Sequence, residues 1–371
     1  MFNYSERIEA FRLEKVRLST EFLEKLFAHR KANRDRLVSR LADHIPDISI
    51  SDGNFKPQGS VAVGLIVQTQ FAEDEYDIDD GLVMWKDDLV DEDGSELSAE
   101  EVRKRVCAAL QDDRFAKPPE VHHNCVRVFY KTNDEERHHV DFAIYRKYFV
   151  GDDLVRELAG AEGWAPSDPT QVNRWINDLV TERNAQTDGW GTQFRHLVQL
   201  LKRFCRSRQT WDLPNGMKLT MLVAECQPTY QARIDLAFRQ LLQQLKNRLF
   251  WNKVIQNLSH PEKPTLTRTD ADQNVADLEA RLGEALDQLK ALDKSDTDNA
   301  DSARSAWDWI FKSDDFFAHF DAEKKKEEKK NALLAKAALV GTEAKTSPSG
   351  VIGAIGVTNL THKFYGEESL D

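Results

Sequence analysis

The sequence predicts an α+β fold in which a mixed α/β half precedes a helical half. Strand-like and helix-like segments alternate up to about Asp168, and segments with helical spacing follow it. With 371 residues, 40% of them hydrophobic, the chain is long enough for two packed lobes, which we expect at residues 1–160 and 161–331. The stretch beyond Thr342 is rich in Gly, Ser, Thr and Ala, and we expect residues 332–371 to form a mobile C-terminal tail.

The first half begins with helical spacing and continues with a strand. Residues 4–44 carry apolar side chains close to the helical period, which predicts one or two long helices. A turn signal, Asp-Gly-Asn, follows at residues 52–54. Residues 77–85, DIDDGLVMW, are typical of a strand. Ser98 followed by Glu101 forms a capping box, which predicts the start of a helix.

Two β-rich runs complete the first half, at residues 126–131 and 138–145. The polar residues 132–134 between them suit a hairpin turn. The second half contains five segments with helical spacing, at residues 172–180, 192–207, 218–225, 232–250 and 270–292. The last segment has one apolar face, formed by Val275, Leu278, Leu282, Ala285 and Leu289.

The charge balance indicates which partners the protein takes. The formal net charge is -12, from 51 Lys and Arg against 63 Asp and Glu, so long nucleic acid is repelled and is not expected as a partner. A small nucleotide that arrives with its own magnesium fits better, because the metal neutralises the phosphates.

Other features of the composition indicate a soluble cytoplasmic protein. No apolar stretch approaches the roughly 20 residues that span a bilayer, and the charged, helical start does not resemble a secretory signal. We therefore expect no membrane segment. The four cysteines, Cys107, Cys125, Cys205 and Cys226, are far apart and form no CxxC pair, which predicts reduced structural thiols.

Three aspartates form a candidate catalytic set. Side chains at i and i+2 of a strand share a face, so Asp77 and Asp79 project together while Asp80 points away. Asp141 supplies a third carboxylate from a later strand. Carboxylates this close repel one another unless a divalent cation binds, and three of them can hold two metal ions for phosphoryl transfer. We expect Asp77 and Asp79 to bridge both ions and Asp141 to bind the ion that activates the attacking 3′-hydroxyl. The alternative is a solvated acidic loop.

A Gly-Ser pair upstream adds a candidate phosphate site. Gly59 allows the backbone to approach a phosphate closely, and the Ser60 hydroxyl can bind its oxygens together with the N–H groups of a helix start. Gln58, just before the pair, is a candidate contact to a ribose or a base edge, although a polar residue before a turn needs no function. The order Gly-Ser, Asp-x-Asp on a strand and a later lone Asp is much more specific than any part of it.

The motifs QGSVAVGLIV, EYDIDDGLVMW and HHVDFAIY resemble those of the bacterial cGAS/DncV-like nucleotidyltransferases, members of the DNA polymerase beta-like superfamily. The resemblance covers most of residues 1–330 and is greatest to the cyclic GMP-AMP synthase branch. It implies a mixed α/β nucleotidyltransferase lobe, a helical lobe and an active site in the cleft between them. It also implies synthesis of a cyclic nucleotide from ATP, GTP or other NTPs, with two Mg²⁺ ions or Mn²⁺ as a substitute. Anti-phage (CBASS) signalling with ancillary regulatory proteins is the implied setting.

The resemblance also implies roles for residues of the helical half. Lys202 falls where these enzymes place a lysine on the donor triphosphate, and Thr220 matches a Ser or Thr that supports the same phosphates. The alternative for Lys202 is an ordinary exposed helical lysine. Arg127 and Lys131 share a strand face and either line the acceptor pocket or form salt bridges. We expect the His122-His123 and His138-His139 pairs to contact solvent or a base rather than a metal.

Two other functions are compatible with these residues. One is a terminal nucleotidyltransferase that acts on RNA or a small molecule, although an RNA substrate would require a basic track that the net charge does not suggest. The other is a catalytically idle sensor that binds a nucleotide in the same pocket. Three retained carboxylates disfavour a sensor, because an unused acidic cluster repels itself.

Overall fold

The computed structural model describes residues 2–343 except 69, 72–74, 131–136, 268–271 and 295–298, together with three two-residue strands in the C-terminal region. The chain forms two compact units, Met1–Lys312 and Ser313–Asp371. All the residues to which the sequence analysis assigns a catalytic or nucleotide-binding role lie in the first unit. The predicted lobe boundary at residue 160 falls inside that unit and stays a prediction.

A seven-stranded mixed sheet forms from the first half of the chain. Its strands are β1 (Phe55–Pro57), β2 (Tyr76–Trp85), β3 (Glu120–Val121), β4 (Val126–Tyr130), β5 (His138–Val150), β6 (Asp153–Gly160) and β7 (Gly163–Pro166). The spatial order is β1-β2-β5-β4-β3, and the second half of β5 also pairs with β6, which in turn pairs with β7. Strands β2 and β5 are parallel, whereas the other pairs described in this sheet are antiparallel.

The predicted α+β fold is confirmed, and so are the predicted strand at residues 77–85 and the pairing of the two β-rich runs. The hairpin turn expected at residues 132–134 lies outside the described residues. Strands β6 and β7 were not identified from the sequence. The β6 segment, DLVRELAG, contains two Leu and a Glu that favour helix, and its extended conformation depends on pairing with the long strand β5.

Two helices precede the sheet, as predicted for residues 4–44. Helix α1 (Ser5–Phe11) continues into a π-helical turn, Arg12–Val16, and α2 (Thr20–Arg40) follows. The short helix α3 (Gly59–Ala62) and helix α4 (Ala99–Ala109) lie between strands of the sheet in the chain order. Helix α4 starts with the predicted capping box, since the Ser98 and Glu101 side chains each accept a hydrogen bond from the other residue's backbone N–H.

The described residues that follow the sheet within the first unit form six further α-helices: α5 (Gln171–Gln186), α6 (Trp190–Cys205), α7 (Gly216–Cys226), α8 (Ile234–Trp251), α9 (Gln273–Ala291) and α10 (Ala300–Phe311). The five helical segments predicted for this half are confirmed, and the predicted apolar face of α9 is buried. None of the described helices is both long enough and apolar enough to cross a membrane. The four cysteines are free thiols, as predicted.

The second unit contains helix α11 (Phe316–Glu343) and a small antiparallel sheet in the order β10-β8-β9. Its strands are β8 (Lys345–Thr346), β9 (Ile352–Gly353) and β10 (Val357–Thr358). The predicted tail, residues 332–371, begins inside α11. Residues 344, 347–351, 354–356 and 359–371 of that tail lie outside the described residues, so its mobility stays a prediction.

Candidate active site

The parallel pair β2 and β5 brings the three predicted aspartates together. Asp79 lies directly opposite Asp141 in the register, and Asp77 lies opposite His139. Residues at matching positions of neighbouring strands share a face, so all four side chains lie on one face of the sheet. Asp80 points to the other face and is fully buried, as the alternation of the strand predicts.

Asp141 is the most constrained of the three carboxylates. The Arg127 Nε and Nη2 atoms donate hydrogen bonds of 2.8 and 2.7 Å to its two oxygens, and His139 Nδ1 lies 3.0 Å from Oδ1. Of the two roles considered for Arg127, the salt bridge is therefore present in this structure. Lys131, considered with it, lies outside the described residues.

His139 lies between the carboxylates, which the sequence analysis did not predict. Its Nε2 is 2.6 Å from Asp77 Oδ1, while its Nδ1 contacts Asp141. Both His138 and His139 are buried, so the expected contact with solvent is wrong for this pair. A signal was present in the sequence, because His139 precedes Asp141 by two residues on one strand and must share its face.

Burial and the close spacing of charges shift the pKa values of these groups. Burial, together with the charges of Asp77 and Asp141, raises the pKa of Asp79 to about 6. Burial opposes the charged form of His139, but hydrogen bonds to Asp141 and Asp77 outweigh it and raise the His139 pKa to about 9. Burial also opposes ionisation of Asp141, yet hydrogen bonds from His139 and Arg127 lower its pKa. The site thus holds negative charge that two cationic side chains offset.

This donor set fits a divalent cation. Among the described residues, ligand atoms of Asp77, His139 and Asp141 all lie within 4.8 Å of one another, and Asp79 is adjacent. Carboxylate oxygens are the ligands that hard divalent cations prefer, and a bound cation would relieve the repulsion that raises the Asp79 pKa. His139 lies within this group, but with its pKa raised to about 9 it is an imidazolium that donates to Asp77 and Asp141 and has no lone pair for a metal, so the carboxylates are the ligands.

A cavity of about 570 Å³, which we call the central cavity, opens beside Asp77 and Asp79. Every residue predicted from the sequence to bind nucleotide lines it: Gln58, Gly59, Ser60, Lys202 and Thr220. Further lining residues come from the start of α5 and α7 and from residues 257–263. Asp141 lies beside Asp79 on the neighbouring strand and is not part of the wall. The volume is in the range typical of small-ligand sites.

Gly59 is required at its position by two features of the backbone. Its φ of +65° lies in the left-handed region that disfavours other residues. A Cβ placed on Gly59 would also lie 1.8 Å from Asp79 Oδ2, so the chain passes directly over the carboxylate. Gly59 begins α3, and Ser60 follows in its first turn. Gln58 Nε2 donates a hydrogen bond of 3.2 Å to the Tyr145 hydroxyl at the cavity wall.

Lys202 is buried rather than exposed, so the alternative of an ordinary surface lysine is wrong. Its side chain lies in the wall of the central cavity, and Nζ donates a 2.8 Å hydrogen bond to the Leu65 carbonyl oxygen. Burial, with a smaller contribution from Arg206, lowers the Lys202 pKa to about 7. Thr220, also buried, donates its hydroxyl to the Gly216 carbonyl oxygen one turn earlier on α7, at 2.7 Å.

Comparison with known proteins identifies the β-rich part of the chain. Residues 53–145 match the family model of the cyclic GMP-AMP synthase DncV-like nucleotidyltransferase domain. This range contains Gly59, Ser60 and the three aspartates. The match confirms the resemblance to bacterial cGAS/DncV-like enzymes and the predicted enzyme class, a nucleotidyltransferase.

Solved structures with the same fold extend the comparison to the helical part. Vibrio cholerae DncV cyclic AMP-GMP synthase in complex with nonhydrolysable GTP is similar at a TM-score of 0.66 and 14% identity, over 84% of this chain and 96% of that chain. The same enzyme with the linear intermediate 5′ pppA(3′,5′)pG gives 0.64 and 15%, over 84% and 95%. Escherichia coli DncV bound to 3′-deoxy GTP gives 0.60 and 16%, over 81% and 92%. At these identities the likeness shows a shared fold.

Proposed function

On the premise that this chain carries a DncV-like nucleotidyltransferase domain, we propose that it makes a cyclic di- or oligonucleotide from NTPs. One observation carries the proposal. The central cavity joins two aspartates at the catalytic face of β2 to Ser60, Lys202 and Thr220, which are side chains that bind phosphate oxygens. An NTP in this cavity would have its triphosphate between Ser60 and Lys202 and its α-phosphate beside the carboxylates.

Asp77, Asp79 and Asp141 would hold two Mg²⁺ ions, with Mn²⁺ as a substitute. Bound there, divalent cations lower the pKa of an attacking hydroxyl and stabilise the charge that develops on the leaving phosphate. Arg127 and His139 hold Asp141 in one orientation through hydrogen bonds to both its oxygens. The Lys202 ammonium, held at the Leu65 carbonyl, would contact the donor phosphates. Gly59 allows these phosphates to approach the backbone over Asp79.

Ring closure would require the carboxylate set to act twice, because the described residues contain one such set. The first transfer would join two nucleotides and release pyrophosphate, which leaves a linear product with a 5′-triphosphate. After this product turns round in the cavity, its free hydroxyl would attack the remaining α-phosphate and release a second pyrophosphate. The linear intermediate bound to Vibrio cholerae DncV supports the same order of events here. We further propose a cytoplasmic role in anti-phage (CBASS) signalling, with ancillary regulatory proteins as partners.

The test uses the whole protein with α-³²P-labelled ATP, unlabelled GTP and Mg²⁺. The expected product is a small labelled species whose mobility phosphatase leaves unchanged, because closure removes every terminal phosphate; a linear chain would lose its 5′-triphosphate and shift. The purine dinucleotide cyclic GMP-AMP is the first candidate. The matched control is the Asp77→Asn, Asp79→Asn double variant, which should form no such species. Products that are entirely phosphatase-sensitive linear chains, or label added to RNA, would replace this proposal with a terminal nucleotidyltransferase.

A further inference from the structure

The central cavity contains a cationic residue to which the proposed function gives no role. Arg206 directly follows the last residue of α6 and lines the cavity together with Lys202, which lies four residues earlier. Side chains four residues apart on a helix face the same way and are separated by about one turn, or about 5.4 Å along the axis. The two cationic groups are therefore neighbours, and we call Lys202, Arg206 and the start of α7 the cationic wall.

The cationic wall carries positive charge that no acidic side chain offsets. In the part of the chain that the structure describes, neither Lys202 nor Arg206 forms an ion pair. Lys202 Nζ donates to the Leu65 carbonyl oxygen, and the Arg206 side chain is exposed at the cavity. The charge of Arg206 contributes to the lowered pKa of Lys202, which means that the two cations repel each other. In a protein with a net charge of -12, this arrangement indicates a site for an anionic ligand.

The first turn of α7 adds partial positive charge to the same wall. Asn215, Gly216 and Met217 all line the cavity. The Asn215 side chain accepts the Lys218 N–H at 3.1 Å, whereas the N–H groups of Gly216 and Met217 come too early in the helix to have an intrahelical acceptor. Such groups bind phosphate oxygens. A Cβ on Gly216 would lie 2.9 Å from Lys202 Cε and 3.1 Å from its Nζ, so the ammonium group lies directly against this turn.

A triphosphate matches this arrangement. With the α-phosphate of an NTP beside Asp77 and Asp79, the β- and γ-phosphates extend from the carboxylates to the cationic wall. The terminal phosphate has three acceptor oxygens and the largest charge, and the planar fork of donors on a guanidinium group suits it. We propose that Arg206 binds the γ-phosphate of the donor NTP and so makes the cavity select triphosphates over diphosphates, an inference that rests on the proposed nucleotidyl transfer.

The same contact involves the leaving group. The β- and γ-phosphates leave together as pyrophosphate in each transfer, so Arg206 stays in contact with them until they are released. Inorganic pyrophosphate should therefore compete with the NTP at the cationic wall. A purely structural role for Arg206 has no such consequence. A cation at the C-terminal end of α6 offsets the helix dipole, but this effect does not distinguish one phosphate ligand from another.

The binding test compares two guanosine ligands that differ by one phosphate, the nonhydrolysable α,β-methylene analogues of GTP and GDP. Each is titrated by calorimetry into the full chain with Mg²⁺. Arg206→Gln should weaken the triphosphate analogue about 10-fold and the diphosphate analogue less than about 3-fold, because the charge-assisted contact is lost from the triphosphate alone. Arg206→Lys keeps the charge and should retain more of the triphosphate preference. Arg206 is exposed, so both variants should fold.

Arg40→Gln is the matched control. Arg40 is exposed at the end of α2 and does not line the cavity, so the same loss of charge should leave both affinities unchanged. Equal weakening of the two analogues by Arg206→Gln, or unchanged binding of both, would overturn the γ-phosphate contact. Failure of both analogues to bind the wild type would instead overturn the nucleotide site, and with it the proposed function. The two failures are thus distinguishable without any measurement of the cyclic product.

Pyrophosphate provides a second readout. Inorganic pyrophosphate is added to the wild type and to Arg206→Gln, each with the triphosphate analogue and Mg²⁺ present, and its competition constant is measured. We expect this constant to rise about 10-fold in the variant, since one charge-assisted contact is lost. An unchanged constant would show that other groups hold the leaving pyrophosphate and would overturn this part of the inference.

Discussion

Replacing Lys202 with Met should stabilise the free protein and weaken its binding of NTP. Met keeps most of the volume of the buried side chain and removes its charge. The difference between the ordinary lysine pKa of 10.5 and a pKa of about 7 corresponds to about 5 kcal/mol of unfavourable free energy for the buried ammonium. Loss of the hydrogen bond to the Leu65 carbonyl oxygen costs about 1–3 kcal/mol. The net expectation is a gain of about 2–4 kcal/mol in the free energy of unfolding at pH 7.

The gain should depend on pH in a defined direction. The folded-state pKa of Lys202 lies below its unfolded value, so the unfolded chain binds this proton more readily and the wild type loses stability as pH falls from about 10.5 to about 7. The variant does not titrate here. The stability difference between the two proteins should therefore be largest at or below pH 7 and should shrink towards pH 10.

The measurement is urea unfolding at pH 7 and pH 9, followed by titration with nonhydrolysable GTP and Mg²⁺. Loss of one charge-assisted contact of about 2 kcal/mol weakens the affinity about 30-fold. Lys104→Met is the matched control, because Lys104 is an exposed helical lysine, and its stability should stay within about 0.5 kcal/mol of wild type. A Lys202→Met protein that is less stable than wild type, or that binds the analogue with unchanged affinity, would refute the reasoning.

Three further predictions concern the carboxylates and the backbone beside them. Asp77→Asn with Asp79→Asn should reduce product from ATP and GTP below detection, because the variant lacks two of the metal-binding carboxylates. The circular dichroism spectrum and thermal midpoint should be retained, because the two carboxylates repel one another and the substitution leaves no cavity. Undiminished product would remove the metal assignment. Asp80→Asn should do the reverse, since it breaks the ion pair that the fully buried Asp80 forms with Arg34 through contacts of 2.6 and 2.7 Å, and should cost about 3 kcal/mol in urea unfolding. A variant as stable as wild type would contradict this. Gly59→Ala should lower the rate of nucleotidyl transfer about 100-fold, because the new Cβ would displace Asp79. Steady-state kinetics measures this rate, and an unchanged rate would contradict the prediction.

His139 shows where reasoning from sequence stopped short. The HVD motif alone predicts that the imidazole and the Asp141 carboxylate share a face. The contact with Asp77 depends on the parallel register of β2 and β5, which joins residues more than 60 positions apart in the chain. Nothing in the local sequence specifies that these two strands pair in parallel, so the histidine was assigned to solvent or a base.

Lys202 was predicted from a resemblance, whereas its burial was not. Lys202 lies on an amphipathic helix next to Arg203, and this local sequence does not specify whether the lysine is on the buried face or on the exposed face. The packing of α6 against residues 63–65 buries Lys202 and places its side chain in the wall of the central cavity.

By itself the sequence determined the local features: the strand alternation that separates Asp79 from Asp80, the capping box at Ser98, the glycine at the turn and the helical spacing of the second half. These follow from backbone geometry and side-chain periodicity over a few residues, which any folded chain must obey. Only the tertiary structure decided which distant groups meet, how deeply Lys202 is buried and how the carboxylates are charged. Those properties depend on strand register, helix packing and the exclusion of water, which arise when remote segments come into contact.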